Sequence, residues 1–205
     1  MNLKTGDLLF FEGNSINSKL INFFTQSNIS HVGLVWLCQI SDQLYIFESG
    51  DVDDESLPLI TKKNCPLNGT HLIPLEIKFK KGNKKIFVKR LQCKKSLNLD
   101  KIDKFIVKNL GKFYTSNLVG FWTQRCNPTF VNLSFMEDRD DDVLENDQHN
   151  EIMCSQLILL CFQKMGIIKY ISNQSSSISP GDLYSKEIPT NIGYSFSEPE
   201  LLWSE

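Results

Sequence analysis

The chain has 205 residues, of which 41% are hydrophobic and 22% are charged. That length and balance are typical of a single globular domain with a substantial core. The formal net charge of -2 gives no reason to expect a nucleic-acid partner. The six cysteines form no CxxC pair and no zinc-ligand spacing. The cysteine spacing therefore gives no indication of a zinc site.

The N-terminal residues carry no apolar stretch of the length of a signal peptide, and no run approaches a membrane span. We therefore expect a cytoplasmic protein whose cysteines are reduced thiols. For a viral protein, the corresponding places are the host cytoplasm or the virion.

The first third of the chain alternates between strand and helix signals. "GDLLFF" at 6–11 predicts a buried strand, and 14–26 predicts a helix with one apolar face. "HVGLVWLC" and "QLYIFES" are rich in β-branched and aromatic residues and are separated by the four residues 39–42. These two runs predict a β-hairpin.

A second hairpin is predicted where "THLIPLEIKFK" and "KKIFVKRL" flank Gly82 and Asn83. Pro74 indicates that the first of these strands lies at a sheet edge or starts late. Residues 77–95 carry nine Lys or Arg and no acid. The simplest interpretation is a solvated surface, with weak contact between 78–95 and an anionic surface as the alternative.

The second half of the chain is mainly helical in pattern. A helix is predicted at 98–110 with Gly111 at its C-terminal end, and a stronger one at 151–166. Between them, 115–150 has no clear period and ends in an acidic run, which predicts a loop insertion. The C-terminal tail could add an edge strand. The whole pattern predicts one α+β domain over residues 1–205.

A histidine and a carboxylate fall on one face of the first predicted hairpin. With a turn at 39–42, paired residues have numbers that sum to about 81, so Gly33 faces Glu48 and His31 lies diagonal to Glu48. Diagonal neighbours are within reach of long side chains. Gly33 is expected to leave the space between them open. A carboxylate beside an imidazole orients the ring and raises its basicity.

Cys154 is the cysteine whose position suggests chemistry. It falls in the first turn of the predicted helix at 151–166, where unpaired N–H groups and partial positive charge favour a thiolate and can bind an oxyanion. It also lies on the apolar stripe, where cysteine is often a small hydrophobic residue. Cys161 fits that structural role better. A redox or metal role for Cys126, His149 and Cys154 has no recognised spacing behind it.

Five short blocks, in this order, together resemble one family. They are "GDLLFF", "SHVGLVW", "IFESG", "MCSQLILLCFQKMGI" and "SPGDL". The order, with a histidine strand before a cysteine helix, resembles the circularly permuted papain-like hydrolases of the NlpC superfamily, in the YiiX-like branch that also occurs in poxviruses. The resemblance covers most of residues 5–185 and implies a permuted papain-like fold, with an antiparallel sheet or small barrel against the cysteine helix.

Carried over by position, the resemblance implies that Cys154 is the nucleophile, His31 the base and Glu48 the residue that orients the ring. Tyr114, in "GKFY", resembles a cleft residue that could help to bind the oxyanion. Gln156 departs from the acid that the family often carries at this position, and we expect it to face away from the nucleophile.

The implied activity is hydrolysis of an amide or acyl ester bond in a peptide, another amide or a lipid-like substrate. The resemblance implies that this chemistry needs no metal or organic cofactor. Two alternatives remain open at this stage. One is an inactive binding module with the papain-like fold, and the other is a lipid acyltransferase on the same scaffold.

Overall fold

The structure is a computed structural model of the whole chain. It describes residues 2–13, 27–50, 60, 69–80, 85–112, 153–168 and 178–204. The predicted helix at 14–26 and the predicted loop insertion at 115–150 lie outside these residues.

The described part of the chain forms an α+β fold whose paired strands are all antiparallel. The strands, in chain order, are β1 (Leu8–Glu12), β2 (Ile29–Cys38), β3 (Gln43–Gly50), β4 (Gly69–Pro74), β5 (Lys85–Lys89), β6 (Leu91–Cys93), β7 (Tyr194–Phe196) and β8 (Glu200–Ser204). Six of them form one sheet in the order β4-β3-β2-β1-β5-β8, and β6 pairs with β7. The α+β class and the C-terminal edge strand agree with the sequence.

Four helices accompany the sheet within the described residues. They are α1 (Leu75–Lys80), α2 (Leu99–Asn109), α3 (Cys154–Lys164) and α4 (Pro180–Ser185). The Asn98 side chain caps α2 by accepting from the Lys101 backbone N–H, and Gly111 follows that helix at a φ of 76°. Ser179 and Asp182 cap α4 reciprocally.

The two faces of the sheet bury different sets of apolar side chains. One face packs with α3 around Leu8, Phe10, Val32, Leu34 and Phe47, all less than 1% exposed. The opposite face buries a smaller cluster that includes Leu9, Phe11, Val35, Ile46 and Ile86. Each face takes alternate residues of every strand, as the pleat requires.

The alternation is interrupted by register shifts in two strand pairs, in β5–β8 between Ile86 and Phe87 and in β1–β2 at the start of β2. Phe11 pairs with His31, but Glu12 pairs with Ile29, so Ser30 is an extra residue in β2. This β-bulge turns Ile29 into the same buried cluster as Val32. It also lies directly before His31, and bulges bend a strand and redirect the side chains beside them.

The second predicted hairpin is wrong. β4 pairs with β3, whereas β5 pairs with β1 on the far side of the sheet. The residues after Pro74 form α1, with Glu76 in the first turn and Lys78 and Lys80 in the last. Such charges suit the helix dipole. The prediction that Pro74 marks an edge strand is confirmed, because β4 is the edge of the sheet.

Candidate active site

The register of the β2–β3 hairpin determines where His31 and Glu48 lie. Leu34 pairs with Phe47 and Cys38 with Gln43, so paired numbers sum to 81, as the sequence predicted. The Nε2 atom of His31 lies 2.9 Å from the Oε2 atom of Glu48. Because these two residues sit diagonally on adjacent strands, the sheet itself holds the imidazole and the carboxylate together.

Gly33 does not leave open space beside this pair. A Cβ at Gly33 would lie 2.5 Å from Cδ1 of Ile46, so the Ile46 side chain already covers that glycine. The glycine beside the imidazole is Gly50, where a Cβ would lie 3.4 Å from Cε1 of His31. The expectation for Gly33 is therefore wrong, because its neighbour on β3 fills the gap.

Glu48 also has partners on its other oxygen. Its Oε1 atom lies 2.5 Å from Nζ of Lys78 and 3.2 Å from Nε2 of His71. The second ring nitrogen of His71 lies 2.9 Å from the carbonyl oxygen of Gly69. Burial would by itself raise the pKa of the Glu48 carboxyl, but Lys78 and His31 hold it well below its usual range. A buried carboxylate thus stays ionised among cationic and hydrogen-bonding groups.

Cys154 is in contact with the His31 ring. Burial would by itself lower the pKa of the His31 imidazole, but the charges of Glu48 and Cys154 and hydrogen bonds from both raise it to about 9. Since Nε2 faces Glu48, the nitrogen left for the thiol is Nδ1. Thiol, imidazole and carboxylate therefore lie in series, with 22% of the His31 side chain exposed.

The start of α3 presents Cys154 together with backbone N–H groups that have no acceptor inside the helix. Cys154 is the first residue of the helix, and the first helical hydrogen bond, 2.9 Å long, runs from Leu157 N to Met153 O. The backbone N–H groups of Cys154 and Ser155 precede that bond and have no helical acceptor. Gln156 accepts a hydrogen bond from Met153 N at 3.1 Å, which caps the helix. Gln156 thus has a structural role at this position.

The "SPGDL" block packs against the start of β2. A Cβ at Gly181 would lie 2.5 Å from Cβ of Ser27, so α4 approaches Ser27 too closely for any larger residue. The hydroxyl of Ser27 accepts from Ile29 N at 3.1 Å, and Ser155 on α3 donates to Ile178 O at 2.6 Å. The block therefore links the helix that carries Cys154 to the strand that carries His31.

Two side chains in this cluster, His71 and Lys78, were missed from the sequence. Lys78 was expected on a basic surface, and His71 was given no role. Both errors follow from the wrong pairing of β4 with β5. The signal that could have found His71 is the pairing of β4 with β3, which puts His71 directly opposite Glu48. Tyr114, the expected oxyanion residue, lies outside the described residues.

The basic segment 78–95 is not a hairpin with outward-pointing charges. Lys78 binds Glu48, and Lys89, 3% exposed, donates to the carbonyl oxygens of Leu183 and Lys186. Arg90 pairs with Asp7 and Glu200. Three of the nine basic side chains in this segment thus have partners within the protein. This weakens the alternative interpretation, in which 78–95 contacts an anionic surface.

Cys38, Cys93, Cys154 and Cys161 are free thiols. Over the described ranges, no three or more His, Cys, Asp or Glu side chains are grouped as metal ligands would be. Within the same ranges, no helix has the length and apolar character needed to cross a membrane.

The described residues thus define a site built from a thiol, an imidazole and a carboxylate, with the thiol at a helix N-terminus. Comparison with known proteins adds little: no family model matches the chain, and no curated protein matches it. Among solved structures, the chain is similar to the metalloprotein yiiX from Escherichia coli O157:H7, with 19% identity and a TM-score of 0.46 over 98% of this chain and 97% of that one. A likeness at this level carries no conclusion about chemistry.

Proposed function

We propose that the chain is a cysteine hydrolase of the permuted papain-like kind, which cleaves an amide or acyl ester bond through an acyl-enzyme on Cys154. One observation carries the proposal: the Cys154 thiol hydrogen-bonds the ring of His31, 123 positions earlier, while Glu48 holds the other side of the same ring. A nucleophile, a base and a residue that orients the base are the three parts that such catalysis needs.

In the proposed reaction, the thiol proton of Cys154 has passed to His31 before the carbonyl is attacked. The thiolate sulfur attacks the carbonyl carbon, and the backbone N–H groups of Cys154 and Ser155 stabilise the oxyanion. The C–N or C–O bond then breaks, and His31 gives its proton to the leaving group. Water attacks the thioester with His31 as base, which releases the acid and restores the thiol. Glu48 stays ionised throughout and holds the ring.

The raised pKa of His31 fits this sequence of proton transfers. At neutral pH an imidazole with a pKa of about 9 holds a proton. The proton needed by the leaving group is therefore in place before substrate arrives.

The experiment is mass spectrometry of the intact protein after exposure to a panel of activated amide and ester probes. We expect an acyl adduct on Cys154 in the wild-type chain and none in Cys154→Ala, with Cys161→Ala as the matched control that keeps the adduct. Cys154→Ala and His31→Ala should each lower turnover by at least about 10³-fold while the fold is retained.

The same experiment separates the alternatives. Release of the acyl group into ¹⁸O-labelled water as a labelled acid supports hydrolysis, whereas its transfer to an added alcohol or lipid acceptor supports an acyltransferase. A third outcome is that no probe gives an adduct on Cys154 and all thiols are labelled without selectivity. That outcome would support an inactive binding module and would contradict the enzyme proposal.

A further inference from the structure

The two oxygens of Glu48 have different partners. Oε2 serves His31 at 2.9 Å, whereas Oε1 receives Lys78 at 2.5 Å and His71 at 3.2 Å. His71 is the direct cross-strand neighbour of Glu48, so it fixes where the carboxylate stands. Lys78 comes from a different element, α1, and brings a full positive charge to the same oxygen.

Lys78 is held at that place by more than one contact. Its Nζ atom lies 5.1 Å from the centroid of the Phe11 ring, and the Phe11 ring lies 5.7 Å from the ring of His31. Only 17% of the Lys78 side chain is exposed. The ammonium group is thus a partly buried charge, set on the far oxygen of the carboxylate that faces the imidazole.

In the described part of the chain, the titratable groups that face the His31–Glu48 pair are Cys154 from α3, His71 from β4 and Lys78 from α1. Glu48 and a Cys154 thiolate both favour the proton on His31. Lys78 has the opposite effect on His31, because its positive charge offsets part of the Glu48 charge and repels the imidazolium.

We propose that Lys78 is a positioning residue that shares the Glu48 carboxylate with His31 and so keeps the imidazolium able to release its proton. Without Lys78, the negative charge of Glu48 interacts with the His31 imidazolium alone, and His31 becomes a weaker acid. The electrostatic part of this inference stands on the contacts alone. Its catalytic part, easier protonation of the leaving group, rests on the proposed function.

The test is an NMR titration of the imidazole nitrogens in the full ¹⁵N-labelled chain, which has only three histidines. We expect the His31 midpoint near pH 9 in the wild type. Lys78→Met should move it upward by about half to one pH unit. Lys78→Arg keeps the charge and should restore the parent midpoint. Lys80→Met is the matched control, because Lys80 is an exposed lysine on the same helix.

Amide spectra show whether each variant is folded, and Lys78→Gln replaces Lys78→Met where the latter is not. An unmoved or lowered His31 midpoint in a folded variant without the Lys78 charge would overturn the inference. So would an equal shift in Lys80→Met, since that would point to a general change in net charge.

Kinetics with an ester probe complete the test. The alkaline limb of kcat/KM should move upward with the His31 midpoint in Lys78→Met, and the rate near neutral pH should fall about two- to threefold. A shifted midpoint without any acyl adduct on Cys154 contradicts the proposed function and leaves the role of Lys78 on His31 intact. Acyl adducts on Cys154 together with an unmoved His31 midpoint support the proposed function and overturn the role of Lys78.

Discussion

The Nε2 atom of His71 lies 3.2 Å from the Oε1 atom of Glu48, so the carboxylate that holds His31 is itself held from the next strand. His71 is 3% exposed and also contacts the carbonyl oxygen of Gly69. The edge strand β4 therefore takes part in the site, although it carries none of the three residues proposed for the reaction.

Replacing His71 by Phe should destabilise the protein, because it removes the polar ring atoms that face a buried carboxylate oxygen of Glu48 and the carbonyl oxygen of Gly69. We expect a loss of about 1–3 kcal/mol in the free energy of unfolding, measured by urea denaturation. Lys80→Met, at an exposed position, serves as the control. A His71→Phe protein as stable as the wild type would show that the contact with Glu48 contributes nothing.

The reactivity of Cys154 should differ from that of Cys161. Burial raises the pKa of the Cys161 thiol, and no charged partner offsets that burial. Cys154 instead contacts the imidazolium of His31. Iodoacetamide near neutral pH should therefore modify Cys154 before Cys161, as peptide mapping by mass spectrometry can measure. His31→Ala should slow labelling at Cys154 and leave labelling of the half-buried Cys38 and Cys93 unchanged. Equal labelling of Cys154 in both proteins would contradict the pairing.

Removal of the thiol should lower the basicity of His31. Both the charge and the hydrogen bond of Cys154 raise the pKa of His31, so Cys154→Ala should bring its midpoint down from about 9 toward 6.5. The midpoint can be measured by NMR titration, and Cys161→Ala provides the control. A midpoint that stays at the wild-type value would mean that Glu48 alone determines it.

Stability should depend on pH through the same pair. The pKa of His31 is raised on folding, so its contribution is complete below about pH 6.5 and is lost as pH rises through about 9. The pKa of Glu48 is lowered on folding, so its contribution is present above pH 4.5 and is lost as pH falls.

The gap in unfolding free energy between wild type and His31→Gln should therefore shrink by up to about 3 kcal/mol between pH 6.5 and 9. Urea titrations of both proteins across that range measure the gap. A gap that widens with rising pH has the wrong sign for a raised pKa and would contradict the assignment.

Gly181→Ala should damage the site from a distance. The added Cβ would overlap Ser27 at 2.5 Å, and Ser27 supports the start of β2 through Ile29 N. We expect a loss of about 1–3 kcal/mol in stability and slower labelling of Cys154. Gly193→Ala is the control, because an added Cβ there meets no atom within 4 Å. It should cost some stability through its positive φ of 97° and leave Cys154 labelling unchanged.

Local patterns predicted the central part of the fold well. The β2–β3 register and the start of α3 follow from alternation, turn length and helical spacing, all of which involve neighbouring residues. His31 and Glu48 could be placed together on that basis. The contact with Cys154 could not be derived from spacing alone, and its expectation depended on the family resemblance.

The errors arose where long-range pairing decided the outcome. Residues 75–80 alternate as a strand would, but Leu75 and Phe79 are also one helical turn apart, and the helix forms. Pairing of β4 with β3 in place of β5 depends on the whole sheet, which no short window contains. For that reason the sequence did not predict that His71 and Lys78 contact Glu48, although it placed Glu48 beside His31.

The surplus residue at Ser30 has a consequence for anyone who aligns distant sequences onto this chain. Upstream of it, odd-numbered positions of β2 point toward α3, and downstream of it they point toward Glu48. A gapless alignment to a protein with a regular strand here would carry residues onto the wrong side of the sheet for every position before His31. Deleting Ser30 should leave both side chains on their present faces, because Ile29, His31 and Val32 would then alternate as in a regular strand.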